Sequence, residues 1–249
     1  MEALELEPRL YAVPQGALVY KDYAIIADLH LGFEEEMSKK GIFLPPAQLK
    51  RALEVLKTIS KISRTIIVAG DLKHQFGRLG KAERRDVESF LRAVQNNNLK
   101  LILVRGNHDN FVRMIVEDFG FEVVDELDLD EGVKVIHGHK ASELGEVTVM
   151  GHEHPSVALR DPVGATAKFP CFLKVPSPKG TVIVLPAVGV YQSGTSVTPN
   201  KEAYLSPVLK ELDLREAVPY VADPEIGVVE LPKLGEMEGM LVEEAPLGR

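Results

Sequence analysis

The segment Arg105-Gly106-Asn107-His108-Asp109 directly follows the apolar run Leu99-Lys100-Leu101-Ile102-Leu103-Val104. An apolar run of this length is consistent with a buried strand, and Gly-Asn is ordinary turn chemistry at the end of one. The segment therefore predicts a strand that delivers an amide, an imidazole and a carboxylate to one edge of a sheet. The segment alone is weak evidence for a functional site, and the evidence becomes stronger if other parts of the chain repeat the arrangement.

Four other blocks of the sequence carry the same kinds of side chain at the ends of predicted strands. They are Asp28-Leu29-His30, Gly70-Asp71, His137-Gly138-His139 and Gly151-His152-Glu153-His154. Six of the seven histidines lie inside the five blocks, and the seventh, His74, follows Asp71 by three residues. Histidines that served only as core or surface filler would be scattered along the chain. Their concentration predicts a single site.

The order of the predicted elements indicates an α/β protein. Up to Gly120 strands alternate with helices, including amphipathic ones after Pro46 and over residues 81–95, whereas later residues are mostly short strands. One sheet covered by helices and packed on a second sheet fits this order, which predicts a two-sheet α/β sandwich of the αββα type. Sites in α/β sheets form beyond the carboxyl ends of strands, so the five blocks are expected to converge. We predict one domain over residues 1–230 and an acidic C-terminal tail over 231–249.

Bulk composition sets the class of protein. A chain of 249 residues that is 45% hydrophobic can bury one large core. The single cysteine, Cys171, excludes an internal disulfide framework and any zinc site built on several thiolates. No apolar run is long enough to cross a bilayer and the N-terminus lacks the features of a signal peptide, so we expect a cytoplasmic protein without a membrane partner.

Charge is unevenly distributed. The net charge of −8 argues against a protein that binds nucleic acid over much of its surface. An aromatic content of 6% without tryptophan offers no obvious platform for base stacking. Residues 73–85, however, carry five Lys or Arg against one Glu directly after Gly70-Asp71. This basic segment is either a positive lip of the site or the solvated first turns of a helix.

The side chains of the five blocks suit divalent transition metals. Residues two apart on a strand end point to the same face, so Asp28 and His30 can bind one ion together. Imidazoles combined with carboxylate and amide oxygens favour Mn²⁺, Fe²⁺, Zn²⁺ or Ni²⁺ over Ca²⁺. Seven such residues are too many for one ion, but two ions with a bridging carboxylate would have four ligands each. Two-metal sites, with ions about 3.5–4 Å apart, clamp the attacking and leaving oxygens of a phosphoryl displacement.

The ordered blocks D-x-H, GD, GNHD, H and GHxH resemble the calcineurin-like metallophosphoesterase superfamily, whose five motifs are all present. The sequence around these blocks is similar to the archaeal and bacterial branch related to ligase-associated DNA-damage-response phosphoesterases. The segments that carry this similarity are DLHLG, GIFLPP, GDLKH, HGHK, GHEHP and VLPAVGVYQSG. The resemblance runs from about Ala24 to Gly194.

The resemblance implies a role for each site residue. One ion would be held by Asp28, His30, Asp71 and His154. Asp71 would bridge to a second ion held by Asn107, His137 and His152. The expected nucleophile is the hydroxide bridging the two ions, and Mn²⁺ is the expected metal, with Fe²⁺, Ni²⁺ and Zn²⁺ as alternatives. The catalytic residues would be His108, as general acid, and Asn107, which would also touch a phosphate oxygen.

Other polar residues near the motifs have two interpretations each. His74 is either a substrate contact or a polar residue on the rim of the site. His139 either faces the substrate or supports a ligand. Arg105 could bind phosphate or form a salt bridge. We expect Asp109 to cap the following helix rather than to bind metal.

These observations lead to one principal function and two alternatives. The principal one is a dinuclear metal-dependent phosphodiesterase or nuclease acting on DNA, RNA or a nucleotide-type ester. The first alternative is a small-molecule nucleotide or sugar-nucleotide pyrophosphatase or phosphomonoesterase. The second is a metal-free binding scaffold on the same fold, although such scaffolds have substituted ligands and every position here carries a competent residue. The sequence leaves the oligomeric state open.

Overall fold

A computed structural model describes residues 3–160, 166–192 and 194–242. Seven strands form the first sheet in chain order, antiparallel up to the fourth strand and parallel from there on. They are β1 (Leu4–Glu7), β2 (Leu10–Ala12), β3 (Leu18–Tyr20), β4 (Tyr23–Ile26), β5 (Thr65–Ala69), β6 (Lys100–Val104) and β7 (Glu122–Val124).

The second sheet contains the strands of the second half of the chain. They are β8 (Leu127–Asp128), β9 (Val133–Ile136), β10 (Val147–Met150), β11 (Ser156–Arg160), β12 (Thr166–Ser177), β13 (Gly180–Val184), β14 (Val218–Asp223) and β15 (Gly227–Glu230). Their order is β15-β14-β12-β13-β10-β9-β8, with β11 paired to β12. Only β9, β10 and β13 run parallel to one another.

In the described part of the chain, five α-helices accompany the sheets: α1 (Phe33–Lys39), α2 (Gln48–Ile59), α3 (Lys81–Asn96), α4 (Arg113–Asp118) and α5 (Pro207–Lys210). Among the residues described, no helix has the length and apolar character needed to cross a bilayer. The strand period of two divides β5 between two layers. Ile66 and Val68 pack in one core cluster with Val55 of α2 and Phe90 of α3. Ile67 instead packs between the two sheets.

The outer face of the second sheet has a thinner cover. It consists of α5 and short 3₁₀ turns at 201–203, 214–216 and 234–236, which bury Tyr204, Leu209 and Leu214 against the strands. The predicted two-sheet α/β sandwich is confirmed. Leu234 and Met237, from the predicted tail, are buried in the same cluster. The boundary at 230 stays a prediction, and residues 243–249 of that tail lie outside the described residues.

Helix α1 is attached to its surroundings through three consecutive glutamates. Glu34 accepts two backbone N–H groups at the start of α2, at 2.8 and 2.9 Å. Glu35 accepts the N–H of Glu83 in the first turn of α3, at 2.8 Å. Glu36 lies 3.3 Å from Nε2 of His74. None of the seven residues of α1 is buried, so these polar contacts hold the helix together with the ring of Phe33, which stacks on Tyr191.

Candidate metal centre

The five motif blocks follow five parallel strands, β4, β5 and β6 in the first sheet and β9 and β10 in the second. Their functional residues stand in a sparsely populated backbone conformation. Among the described residues, ten non-glycine residues have positive φ, and five of them are predicted metal ligands. These are Asp28, His30, Asp71, His152 and His154. Such conformations cost about 1–3 kcal/mol each and persist where the surrounding structure enforces them, as at active sites.

Two of the motif glycines allow side chains from other motif blocks to approach closely. A Cβ atom on Gly70 would collide with the ring of His137, which comes from the second sheet. A Cβ atom on Gly106 would collide with the carboxylate of Asp71. The GD and GNHD motifs therefore need glycine because each one leaves room for a ligand from another block.

A first cluster of metal-ligand atoms consists of Asp28, His30 and His154, whose ligand atoms all lie within 4.8 Å of one another. Nε2 of His154 is 3.2 Å from Nε2 of His30 and 3.4 Å from Oδ1 of Asp28. Oδ1 of Asp28 is buried and accepts no hydrogen bond. A buried carboxylate oxygen without a donor, facing two imidazole nitrogens, is the arrangement expected of ligands that converge on a cation.

A second cluster consists of Asp71, His137 and His152, again with ligand atoms within 4.8 Å. Nε2 of His137 lies 3.4 Å from Oδ2 of Asp71 and 3.0 Å from Oδ1 of Asn107. Nδ1 of His137 lies 2.9 Å from the carbonyl oxygen of Ala69, to which it donates. When the ring is neutral, as a metal ligand must be, that bond fixes its tautomer and leaves the lone pair of Nε2 facing the cluster.

The electrostatics of the clusters depend on charge pairs rather than on solvent. Burial alone would raise the pKa of Asp71, but His137 and His108 hold that pKa well below its usual range. Burial lowers the pKa of His137, yet Asp71 and Asp28 outweigh it and raise the pKa to about 9. Burial and the charge of His154 lower the pKa of His30 to about 3. Two buried carboxylates with four imidazoles and an amide fit a dinuclear site for divalent ions.

The predicted general acid, His108, lies beside both clusters. Its backbone N–H donates to Oδ1 of Asp71 at 2.9 Å, and its Nε2 lies 3.8 Å from the other carboxylate oxygen. Its Nδ1 donates to the carbonyl oxygen of His74. His108, His30 and His74 also form a third group with ligand atoms within 4.8 Å of one another. The position brings His108 to the site, and its role stays a prediction.

The three predicted substrate contacts, His74, His139 and Arg105, have different surroundings in the structure. His74 lies in the site, with Nδ1 3.3 Å from Nδ1 of His30. The ring of His139 lies 5.2 Å from that of His137, and burial lowers its pKa to about 4, so it is neutral at pH 7. Arg105 forms the salt bridge that was its alternative interpretation, 2.6 Å from Asp125.

Asp109 has a role that the sequence did not reveal. The expectation that it caps the following helix is wrong, because α4 begins at Arg113 and no side chain caps it. Its carboxylate is buried and accepts the backbone N–H groups of Gly106, Asp71 and Leu72, at 2.8 to 2.9 Å. Asp109 thereby fixes the GNHD turn to the GD turn and sets the position of Asp71.

Two further polar residues support the ligand loops. Buried Gln48 lies 3.3 Å from the carbonyl oxygen of His30 and accepts the N–H of Val190. Buried Glu153 accepts backbone N–H groups of Leu205 and Ser206, which fixes the loop between His152 and His154. The position of Glu153 between two motif histidines was a usable signal. Gln48 had none, because its partners are distant in sequence.

This fold and these clusters define a metal-dependent phosphoesterase. The chain belongs to the calcineurin-like phosphoesterase family, whose model matches residues 22–216. The nuclease MPE of Pseudomonas putida is similar in structure, with a TM-score of 0.65 and 22% identity, over 92% of this chain and 99% of that one. Yfce, a phosphoesterase from E. coli, matches with a TM-score of 0.39 and 17% identity, over 91% and 99%. No curated protein sequence matches the chain.

Proposed function

We propose that the protein is a phosphodiesterase that cleaves nucleic acid with the help of two divalent ions, most simply Mn²⁺. The observation that carries the proposal is the pair of adjacent carboxylate–imidazole clusters, with Asp71 beside both. One ion would be held by Asp28, His30, Asp71 and His154. The other would be held by Asp71, Asn107, His137 and His152.

Divalent ions bound there would supply a water activated for attack near neutral pH and would offset the negative charge of the phosphate. The residues of the chain provide the geometry. The bond from His137 to the carbonyl of Ala69 orients one imidazole, and the four N–H groups that face Asp109 hold the backbone that presents Asp71. Burial of both carboxylates excludes bulk water, so the negative charges of Asp28 and Asp71 act at full strength on a cation.

His108 would donate a proton to the departing alkoxide. Its ring is half-buried beside Asp71, and its Nδ1 is already engaged by the carbonyl of His74, so Nε2 is the nitrogen left for the substrate. Asn107 would orient a phosphate oxygen through its side-chain amide while its Oδ1 faces the second cluster. Residues His74 and His139 would contact the substrate from either side of the site.

Nucleic acid is the substrate we favour. The similar protein from Pseudomonas putida is a nuclease, and the two chains match over almost their whole lengths. A small-molecule pyrophosphatase or phosphomonoesterase is the second candidate, because an acidic protein with one basic segment carries less phosphate-binding charge than most nucleases. A metal-free scaffold is disfavoured, since every predicted ligand position holds a competent side chain.

The test is a substrate screen with purified protein and Mn²⁺, Ni²⁺ or Co²⁺. It would compare bis-p-nitrophenyl phosphate, p-nitrophenyl phosphate, single- and double-stranded DNA, and RNA. We expect diesters to be cleaved in the presence of metal and activity to vanish with a chelator. Metal-stripped protein that stays fully active in chelator, or a clear preference for the monoester, would contradict the proposal.

A further inference from the structure

An exposed phenylalanine covers the predicted general acid. The ring centroid of Phe76 lies 3.8 Å from that of His108, with the two planes tilted by 31°. Nevertheless, 58% of Phe76 remains exposed. Because one face of the ring lies against His108 and much of the rest is exposed, Phe76 presents an aromatic surface to a ligand at the rim of the site.

The loop that carries Phe76 is fixed from below by two buried charged residues. Lys73 is buried and donates to the carbonyl oxygens of Gln75 and Gly77. Glu83 is also buried and accepts the N–H groups of His74 and Gln75, at 3.0 and 2.7 Å. A loop with its backbone bonded in this way holds Phe76 in one position, so the ring is preorganised on the solvent side.

A second exposed phenylalanine lies close by. The side-chain amide of Asn110 reaches the carbonyl oxygen of Phe76, at 3.4 Å, and Phe111 follows directly. Phe111 is 63% exposed and has a φ of 65°, a conformation that bulky residues rarely adopt. We call Phe76 and Phe111 the aromatic rim. Phe76 lies against His108, and Phe111 follows His108 by three residues in the chain.

Positive charge continues from the aromatic rim. Of the basic segment 73–85, Lys73 and its counter-charge Glu83 are buried, so neither contributes to the surface. Arg78 and Lys81 are exposed and form no ion pair within the described part of the chain, whereas Arg84 pairs with Glu88 at 2.8 Å. The basic segment therefore combines a lip next to Phe76 with the first turns of α3.

We propose that Phe76 stacks on an unpaired nucleobase of a single-stranded nucleic acid, whose phosphates are neutralised by Arg78 and Lys81. The inference rests on the proposed function and specifies its substrate. Stacking on an aromatic ring beside a positive groove is how proteins bind single strands without reading their sequence. Because bases in a duplex present no free face, the arrangement selects single-stranded regions. Stacking at Phe76 would also bring the adjacent phosphate towards His108.

The proposal is tested with Phe76→Trp, which creates a protein with a single tryptophan because the sequence contains none. Its fluorescence would be titrated in chelator, so that nothing is cleaved, with single-stranded oligodeoxythymidylate, an abasic oligonucleotide of equal length, and a duplex. We expect strong quenching by the single strand, and little by the abasic strand or the duplex. A single-stranded RNA arm distinguishes DNA from RNA as the source of the bases.

Ile62→Trp is the matched control. Ile62 is 42% exposed but precedes β5, at the opposite end of that strand from Asp71, so its fluorescence should not respond. In parallel, Phe76→Ala should weaken single-strand binding by about five- to a hundredfold, and Phe76→Tyr should restore it, since tyrosine keeps a stacking face.

Equal quenching by the abasic and the base-containing strands would overturn the proposal, because it would reveal a purely electrostatic contact. Unchanged binding by Phe76→Ala would overturn it as well. Either outcome leaves the proposed function standing if the unmodified enzyme still cleaves bis-p-nitrophenyl phosphate with metal. Loss of that activity under all metals would instead contradict the phosphodiesterase function itself.

Discussion

The two sheets contribute different chemistry to the metal centre. Of the proposed ligands, the first sheet carries the oxygen donors and one imidazole, whereas the second carries imidazoles alone. The residues from the first sheet are Asp28, His30, Asp71 and Asn107, and those from the second are His137, His152 and His154. Each cluster thus takes its carboxylate from one sheet and at least one imidazole from the other. Each of the two proposed ion sites therefore draws on both sheets, so the candidate centre lies at the seam between them.

Direct bonds across this seam support that view. His137 of the second sheet donates to the carbonyl oxygen of Ala69 in the first, and the N–H of His152 donates to Oδ2 of Asp28, both at 2.9 Å. If ions bind at the clusters, we expect metal binding to be coupled to the packing of the two sheets.

The largest effect is expected for Asp71→Asn, which removes the carboxylate that is proposed to hold both ions. Because metal ions contribute several kcal/mol to phosphoryl transfer, diesterase activity should fall by at least about a thousandfold. Elemental analysis should show both ions depleted, compared with two per chain in the unmodified protein. The exposed Asp128→Asn is the control. One ion per chain in the unmodified protein at saturation would contradict the dinuclear centre.

Removing His108 separates chemistry from metal binding. His108→Ala should keep near-normal metal content and lose roughly 10²- to 10⁴-fold in turnover, the usual contribution of a positioned general acid. The loss should be greater for a nucleoside leaving group than for p-nitrophenolate, which departs with little protonation. If both substrate types slow equally, or if an ion is lost, His108 is a ligand or a positioning group.

The second sheet provides the contrast to that variant. His137→Ala and His152→Ala should each deplete the ion of the second cluster, and activity should partly return at high Mn²⁺ because the remaining ligands still bind weakly. Metal content and rates of the variants would be compared at two Mn²⁺ concentrations. Activity that never recovers would indicate that these imidazoles do more than hold an ion.

Metal-dependent stabilisation should depend on pH. In the metal-free protein the raised pKa of His137, about 9, stabilises the fold below the unfolded pKa of about 6.5, and this contribution is lost as pH rises to about 9. An ion must displace that proton, so the rise in melting temperature caused by Mn²⁺ should increase between pH 6.5 and 9. When the Mn²⁺ concentration is 100 times the dissociation constant, binding adds about 2.7 kcal/mol per ion to the free energy of unfolding. A shift that stays constant with pH would exclude this coupling.

A smaller effect should arise away from the seam. Burial and the charges of Glu34 and Glu35 raise the pKa of Asp86 on α3 to about 6, so its ionised form destabilises the fold as pH rises from about 3.8 to about 6. Asp86→Asn should therefore stabilise the protein at pH 7 by about 1 kcal/mol or less after solvent screening, and not at pH 3.5. Thermal unfolding checks this, with metal content unchanged. If Asp86→Asn also lost metal, changes in the helical layer would affect the metal centre at the seam between the sheets.

The parallel strands and the site were predictable because their signals are local. Each ligand block follows an apolar run and, in three cases, a glycine, so the end of the strand can be located within the sequence. Strands β9 and β10, for example, coincide with the sequence runs Val133–Ile136 and Val147–Met150, each rich in β-branched residues. The convergence of five such ends then follows from the rule that α/β sites form beyond the carboxyl ends of strands.

The remaining elements depend on partners that the sequence does not display. Strand β12 contains Pro170 and Pro176, and two prolines suggest that a strand is broken. The strand is nevertheless continuous, because it changes its pairing partner at Pro170. Residues 166–170 pair with β11, and later residues pair with β13 and β14, so Pro170 stands at the change and no ladder is interrupted. The role of Asp109 was hidden for the same reason, since two of its backbone partners lie 37 and 38 positions away.

Helix α1 has a consequence for how the molecule moves. Because none of its residues is buried and its contacts are mostly the polar ones of Glu34, Glu35 and Glu36, it can undergo local unfolding without exposing the hydrophobic core. Its amide hydrogens should exchange with deuterium well before those of β5. Opening would uncap α2 and α3 and release His74 while the sheets stay packed. Acid or high salt, which weaken carboxylate contacts, should therefore loosen one wall of the centre long before the protein melts.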